Sequence, residues 1–473
     1  MLYCAHLNLL SIIILSNRPS HENKEELMNN VFLAYPKEGF RTADLQALID
    51  QCAQSGGGQV RLTPGSYLTA TLYLKSHVEL YLDAGAVLVG SDNCADYSNQ
   101  CPRPINLPEI PCWYDSVVAA VGQTDVAISG EGIIDGVDCY NANGEQQFRG
   151  PHGVYMVDCD GIRVQGIQFV RSACYSFIFE RCQNISMFHV AVRGGQDGFR
   201  FTDCRKVNVD SCDIRSGDDC ICGSGNYDVT IANTMLNTPG DASMLFSCVN
   251  LHVKGCKIWS ACEYPAVFKD DKRYSLCHTG VVHGYESGTF GPNVSDNWLI
   301  EDTLFENVQG VYRFEKMIHG REAVPVRNVV LDGVRAVNMV EPIQIVGDPA
   351  VPLNLTVRNS SFHFAREDQD CDGTFLRAED FGAIRLENVR LHGCNDQPIL
   401  CKNGCELSMQ DVVMEKTLAE AAASVSGVEA LTACETAPAT TRTRYAVPGS
   451  TSQLYPKDAT EEFRGPLRYI PRN

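Results

Sequence analysis

Short apolar alternations return about every 22 residues through the middle of this chain, and a sequence with that period buries its apolar faces by stacking one copy on the next. Ile162-Arg163-Val164, Ile185-Ser186-Met187, Val207-Asn208-Val209, Val229-Thr230-Ile231 and Leu251-His252-Val253 each put two apolar side chains on one face with a polar residue between them. Their starts lie 23, 22, 22 and 22 residues apart. A second series runs in phase with the first: Val154-Tyr155-Met156, Phe177-Ile178-Phe179, Phe199-Arg200-Phe201, Ile221-Cys222-Gly223, Met244-Leu245-Phe246 and Val267-Phe268-Lys269. Two strand series in phase imply one coil per repeat. No Leu-x-x-Leu-x-Leu frame recurs, and the repeats hold no helix-length segment, so the expected fold is all-β, a right-handed parallel β-helix. Cys159, Cys182, Cys204 and Cys248 fall at one equivalent position, with Asn226 filling the gap. Such a column reads as small buried side chains pointing one way, not as converging metal ligands.

A solenoid grows in one dimension, so 473 residues need not divide into several cores. The one clear N-terminal helix is expected from Thr42 to Gly58, with Thr42 as N-cap and Leu45, Leu48, Ile49 and Cys52 on one face before the triple glycine. It would cover the open end of the β-helix. The expected organisation is an extension or weak targeting segment over 1–27, an N-terminal cap and first coils over 28–115, the catalytic β-helix over 116–416, and a C-terminal cap and tail over 417–473, helical or irregular from Ala419. Leu7 to Leu15 is apolar, but no Lys or Arg precedes it and no small-x-small pattern follows Ser16. No stretch reaches the roughly 18 apolar residues of a membrane span. The columnar cysteines, among 22 in all, suit free thiols in a reducing compartment, so a cytoplasmic location is expected, with secretion the alternative if Leu7–Leu15 acts as a signal. A net charge of −19 argues against nucleic-acid and anionic-membrane partners, and it disfavours a long polyanionic substrate. Oligomeric state is left open.

The acids are the chemical signal. Gly195-Gln196-Asp197-Gly198-Phe199 is answered one repeat later by Ser216-Gly217-Asp218-Asp219-Cys220, so three carboxylates arrive from two adjacent copies of one unit. The plain alternative is that they cap turns in Gln-Asp-Gly and Gly-Asp-Asp contexts.

These motifs, with Ala43-Asp44-Leu45-Gln46-Ala47-Leu48-Ile49-Asp50, Leu72-Tyr73-Leu74-Lys75-Ser76-His77-Val78 and Gly130-Glu131-Gly132-Ile133-Ile134-Asp135-Gly136, resemble glycoside hydrolase family 28, the polygalacturonase family, over roughly residues 36 to 415. The resemblance implies an inverting hydrolase of pectin-derived or related plant oligosaccharides, with Asp218 as general acid and Asp197 and Asp219 activating the water. The chemistry agrees: inversion needs a protonated carboxyl at the leaving oxygen and a carboxylate roughly 6.5 to 9.5 Å away, which neighbouring coils about 4.8 Å apart can supply. Two motifs depart from the family. Gly240-Asp241-Ala242 stands where Gly-His-Gly is usual, and Val267-Phe268-Lys269 stands where Arg-Ile-Lys is usual. Asp241 and Lys269 are therefore expected to contact substrate, Asp241 through sugar hydroxyls or else capping a turn. Arg313 in Tyr312-Arg313-Phe314-Glu315-Lys316 is a further substrate-binding candidate, set against an ordinary solvated face. The segment Asp270 to Asp296 is expected as a loop inserted beside the site, and its His278, His283 and Cys277 lack zinc spacing. No metal and no cofactor is expected, and the partner is an oligosaccharide or polysaccharide. The rival readings are a uronate lyase or epimerase, whose chemistry calls for a cation or Arg beside the base, and a non-catalytic carbohydrate-binding β-helix.

Overall fold

Alternating residues whose neighbours one period on alternate in the same phase can pair in register, and this happens along nearly the whole chain. The computed structural model describes residues 30–98, 113–240, 242–268, 271–273, 276–284, 291–318, 320–364, 373–395, 397–414 and 425–434. One 33-stranded sheet begins at Val31–Ala34 and ends at Val425–Cys434, and its pairings are parallel. One ladder stacks Ile162, Ile185, Val207, Val229, Leu251, Trp298 and Val329. A second stacks Phe177, Phe199, Ile221, Met244 and Val281. The pairing is unbroken at residue 115, since Leu72 pairs with Val118 and Leu80 with Ile128.

A third ladder was not expected. Phe169, Val192, Ile214, Leu236, Ile258 and Phe305 stack at the centres of three-residue strands. Each such strand is only three residues long, most with a single buried residue at the centre, too short for an alternation to register.

The core is the inward face of these ladders. Phe179 stacks on Phe201 with centroids 5.4 Å apart, and Phe177 meets Phe199 edge-on at 5.3 Å, geometries favoured by the ring quadrupole. Cys159, Cys182, Cys204 and Cys248 are buried free thiols in one column, as expected. Asn226 substitutes among them because its amide has two backbone partners, accepting from Cys204 N at 2.9 Å and donating to Phe201 O at 2.9 Å.

Three expectations need correction. The helix spans Thr42–Gln54, and its N-cap is Arg41, not Thr42; the Thr42 hydroxyl instead accepts from Ala70 N at 2.9 Å. Gly58 already belongs to the first coil strand, Gly58–Leu62. Leu45, Ile49 and Cys52 join the main core, and Gln46 exchanges two hydrogen bonds with the backbone of Tyr73, at 2.8 and 3.0 Å. Second, Val267 and Phe268 are not the next coil. Ala266–Phe268 folds back antiparallel on Asp271–Arg273, and the ladder resumes at Thr279–His283, so the segment Asp270 to Asp296 is only partly a loop. A hairpin arm and a coil strand share the same two-residue alternation. Third, Val425–Cys434 is a further parallel strand, where helical or irregular chain was expected. No helix among the described residues is long and apolar enough to cross a membrane.

Candidate active site

The Gln-Asp-Gly and Gly-Asp-Asp motifs are the turns that enter successive strands, Phe199–Thr202 and Ile221–Ala232. Their backbones are locked together: Ser176 N donates to Asp197 O, and Gly198 N donates to Asp219 O, both at 2.9 Å. Since Phe177, Phe199 and Ile221 are in register, the residues two places earlier, Tyr175, Asp197 and Asp219, form one column. Asp218 lies beside it, its amide donating to Gln196 O at 3.2 Å. Gly217 is required here by space, because a Cβ would fall 2.4 Å from Gly195 O and 2.6 Å from Pro265 O. The Asp218 carbonyl accepts from the Ser216 hydroxyl at 2.7 Å and from the Thr238 hydroxyl, which fixes the turn that carries the double Asp.

The three expected catalytic carboxylates are thus brought together and nearly buried, at 3% exposure for Asp197, 6% for Asp218 and 3% for Asp219. One oxygen each of Asp197 and Asp219 and the Cys222 sulfur lie within 4.8 Å of one another. Burial pushes the Cys222 thiol well above its ordinary range, so it joins this group as a neutral thiol, ill suited to a hard cation.

A guanidinium sits among the acids. Arg149, 2% exposed, donates through Nη1 to Asp197 Oδ2 and through Nη2 to Asp218 Oδ2 at 2.5 Å, and Glu145 Oε2 lies 3.6 Å from Nη1. Burial opposes its charge, but Asp197, Glu145 and Asp218 together hold it protonated, with its pKa well above the ordinary value. Arg149 and Arg200 flank the Tyr175 ring, their Cζ atoms 5.8 and 5.5 Å from its centroid. Around them Trp113, Tyr114, Tyr155 and Tyr175 form a second apolar cluster on the outer face of the coils. Arg149 carries no periodic sequence signal, whereas Tyr175 lies one period before Asp197 and was passed over because it is not an acid. Arg149 lies 48 residues from Asp197 and 69 from Asp218, on a connection between coils. Arg200, not singled out from the sequence, stands two residues past Gly198 in the motif itself.

Of the expected substrate contacts, Asp241 and Lys269 lie outside the described residues. Arg313 lies on the same outward column as Arg200 and Cys222, in the order Arg200, Cys222, Leu245, Val282, Arg313. Three coil steps separate it from Cys222, on the order of 14 Å. Its guanidinium is engaged by Glu315 Oε1 at 2.6 Å and by His278 Nε2 at 3.0 Å. Because Val267 and Phe268 belong to a hairpin, these two residues do not occupy the coil position at which the Arg-Ile-Lys comparison set them.

Residues 112–241 match the family model of glycosyl hydrolases family 28. A probable polygalacturonase of Vitis vinifera is 24% identical over 198 residues, covering 39% of this chain and 40% of that protein. The exo-poly-alpha-D-galacturonosidase of Dickeya chrysanthemi is 36% identical over 104 residues, 20% of this chain and 16% of that one. The matches thus span less than half the length of these curated relatives. Among solved structures, a hyperthermoactive exopolygalacturonase from Thermotoga maritima superposes with a TM-score of 0.61 at 14% identity, covering 82% of this chain and 92% of that one. A family 28 exopolygalacturonase of Yersinia enterocolitica gives 0.54 at 14% identity, covering 85% and 78%. At such identities the likeness is one of fold.

Proposed function

We propose that this chain, whose residues 112–241 match the family model of glycosyl hydrolases family 28, is an inverting glycoside hydrolase acting on pectin-derived or related plant oligosaccharides. The observation that carries this reading is the column Asp197 and Asp219 with Asp218 beside it, three nearly buried carboxylates on two coils held by backbone hydrogen bonds. Asp218 gives its proton to the glycosidic oxygen as the bond from that oxygen to the anomeric carbon breaks. Water attacks the same carbon from the opposite face and yields a proton to Asp197 or Asp219, leaving an inverted hemiacetal. Locking both turns to the ladder supplies orientation before substrate arrives. The relatives' names point to galacturonides, and the fold supports a right-handed winding, the sense parallel crossovers adopt almost without exception. The helix Thr42–Gln54 acts as the N-terminal cap, satisfying the backbone of Tyr73 on the edge of the first coils. The buried free thiols support a reducing, cytoplasmic setting.

Substrate charge is the open choice within this reading. Arg149 is engaged by Asp197 and Asp218, and Arg313 by Glu315, so neither cation is held open for a uronate carboxylate. With a net charge of −19, a long polyuronate approaches against repulsion. Short oligosaccharides with a neutral or singly charged sugar at the cleavage point are therefore the preferred substrates, with Asp241 accepting from sugar hydroxyls. Side-by-side kinetics should give a higher kcat/KM on neutral and rhamnogalacturonan-type oligosaccharides than on polygalacturonate. A higher value on long polygalacturonate would sink the preference.

A further inference from the structure

Arg149 is placed with unusual care for a residue on a connection between coils. Its segment is tied internally by Asn141 N to Phe148 O at 2.8 Å, Gly144 N to Asn141 O at 2.9 Å and Arg149 N to Glu145 O at 3.0 Å, and it is tied to the next coil by Gly150 N to Ala173 O at 3.2 Å. At Gly144 a Cβ would lie 1.6 Å from Arg149 O, and at Gly150 a Cβ would lie 1.7 Å from Cys139 O. The backbone therefore closes on itself on both sides of the arginine. From this anchorage the side chain reaches two carboxylates that belong to different coils, one nitrogen to each. A guanidinium is the side chain able to do so, since its planar fork presents parallel donors at fixed spacing where an ammonium presents one point charge.

We infer that Arg149 is a positioning residue that clamps Asp197 and Asp218 across adjacent coils and so sets the separation between the water-activating and proton-donating carboxyls. The inference rests on the hydrolase reading for its catalytic consequence, though not for the clamp itself. Three carboxylates on two coils repel one another, and the clamp opposes that repulsion with charge and with geometry. Arg149 is buried against Tyr175 and the acids, so it contributes to the arrangement of the reacting groups and not to sugar binding.

The test separates geometry from charge. Arg149→Lys keeps the charge and loses the fork; Arg149→Gln loses both. Both variants should lower kcat by at least about 30-fold while KM stays within about threefold, a split expected when an interaction serves the transition state only. Recovery of near-normal kcat in Arg149→Lys would overturn the clamp and leave a simple counter-ion; a raised KM with unchanged kcat would overturn it in favour of substrate binding. Gly144→Ala, which displaces the arginine's backbone without altering any charge, should lower kcat about tenfold, and this variant carries the test if the Arg149 variants fail to fold. Unchanged kcat in Gly144→Ala would count against the inference. A readout without activity completes the design. In urea unfolding, Arg149→Gln and Asp218→Asn should be non-additive by at least about tenfold in the equilibrium constant. Additive effects would overturn the clamp even if the protein is a hydrolase, whereas strong coupling in a protein that cleaves no glycoside would leave the clamp standing and remove the hydrolase reading.

Discussion

Asp218→Asn is expected to lower kcat on an unactivated glycoside by at least about 10²-fold with the fold intact, the scale of lost general acid catalysis. The substitution preserves volume and shape in a site that is 6% exposed, and Arg149 keeps Asp197 and Glu145 as partners. What disappears is the transferable proton. A substrate whose leaving group departs without protonation should therefore recover part of the lost rate in the variant, while Asp197→Asn, which impairs the attack of water, should show no such recovery. Circular dichroism and urea midpoints would verify folding. Near-normal turnover of the unactivated substrate by Asp218→Asn would remove this residue from the mechanism.

Acidification from pH 7 to pH 5 should destabilise the fold by about 2 kcal/mol. His152 is enclosed by the rings of Trp113, Tyr155 and Tyr175, at centroid distances of 5.0, 5.9 and 5.6 Å, and burial lowers its pKa to about 3. His283 stacks on Trp298 at 3.8 Å with its Nε2 2.9 Å from the Tyr312 hydroxyl, and burial likewise lowers it to about 3. Both folded values lie below the unfolded one of about 6.5. The unfolded chain then binds more protons as pH falls from 6.5 towards 3, and stability is lost over that window at up to about 1.4 kcal/mol per unit for each histidine. At pH 5 the pair contributes a loss of about 4 kcal/mol. Asp115 works the other way: burial raises it to about 6, so the native state gains a proton first and recovers about 1.4 kcal/mol by pH 5. Glu180, also raised by burial although Tyr155 donates to it at 2.5 Å, acts in the same direction as Asp115. Urea midpoints at pH 7, 6 and 5 at fixed ionic strength would measure the slope. A midpoint that is flat or rises on acidification would contradict it.

The fold was legible where the physics is periodic. Parallel ladders require each coil to repeat the phase of the last, so Ile162 through Leu251 and Phe177 through Met244 announced their pairing by spacing alone. The cysteine column and its Asn226 substitute were visible for the same reason. What lacked a period was hidden. The three-residue strands are too short for an apolar-polar alternation to show. The hairpin Ala266–Phe268 with Asp271–Arg273 looks like the next coil because hairpin and coil strands alternate alike, and only the resumption of the ladder at Thr279–His283 distinguishes them. At the site, the acids announced themselves by lying one period apart. Arg149 did not, because it reaches them from a connection whose position is set by backbone closure at Gly144 and Gly150. Charge partners brought from loops leave no spacing for a sequence to display.

The central claim to test is that the stacked aspartates cleave a glycosidic bond with inversion. Proton NMR of the first minutes of hydrolysis, on whichever of the neutral, rhamnogalacturonan-type and polygalacturonate substrates is cleaved, reads the anomer before mutarotation scrambles it. The first-formed reducing end should have the configuration opposite to the bond cleaved, produced by the wild type and abolished together with turnover in Asp218→Asn. A first-formed product of retained configuration, or an unsaturated uronate in place of a new reducing sugar, would contradict it.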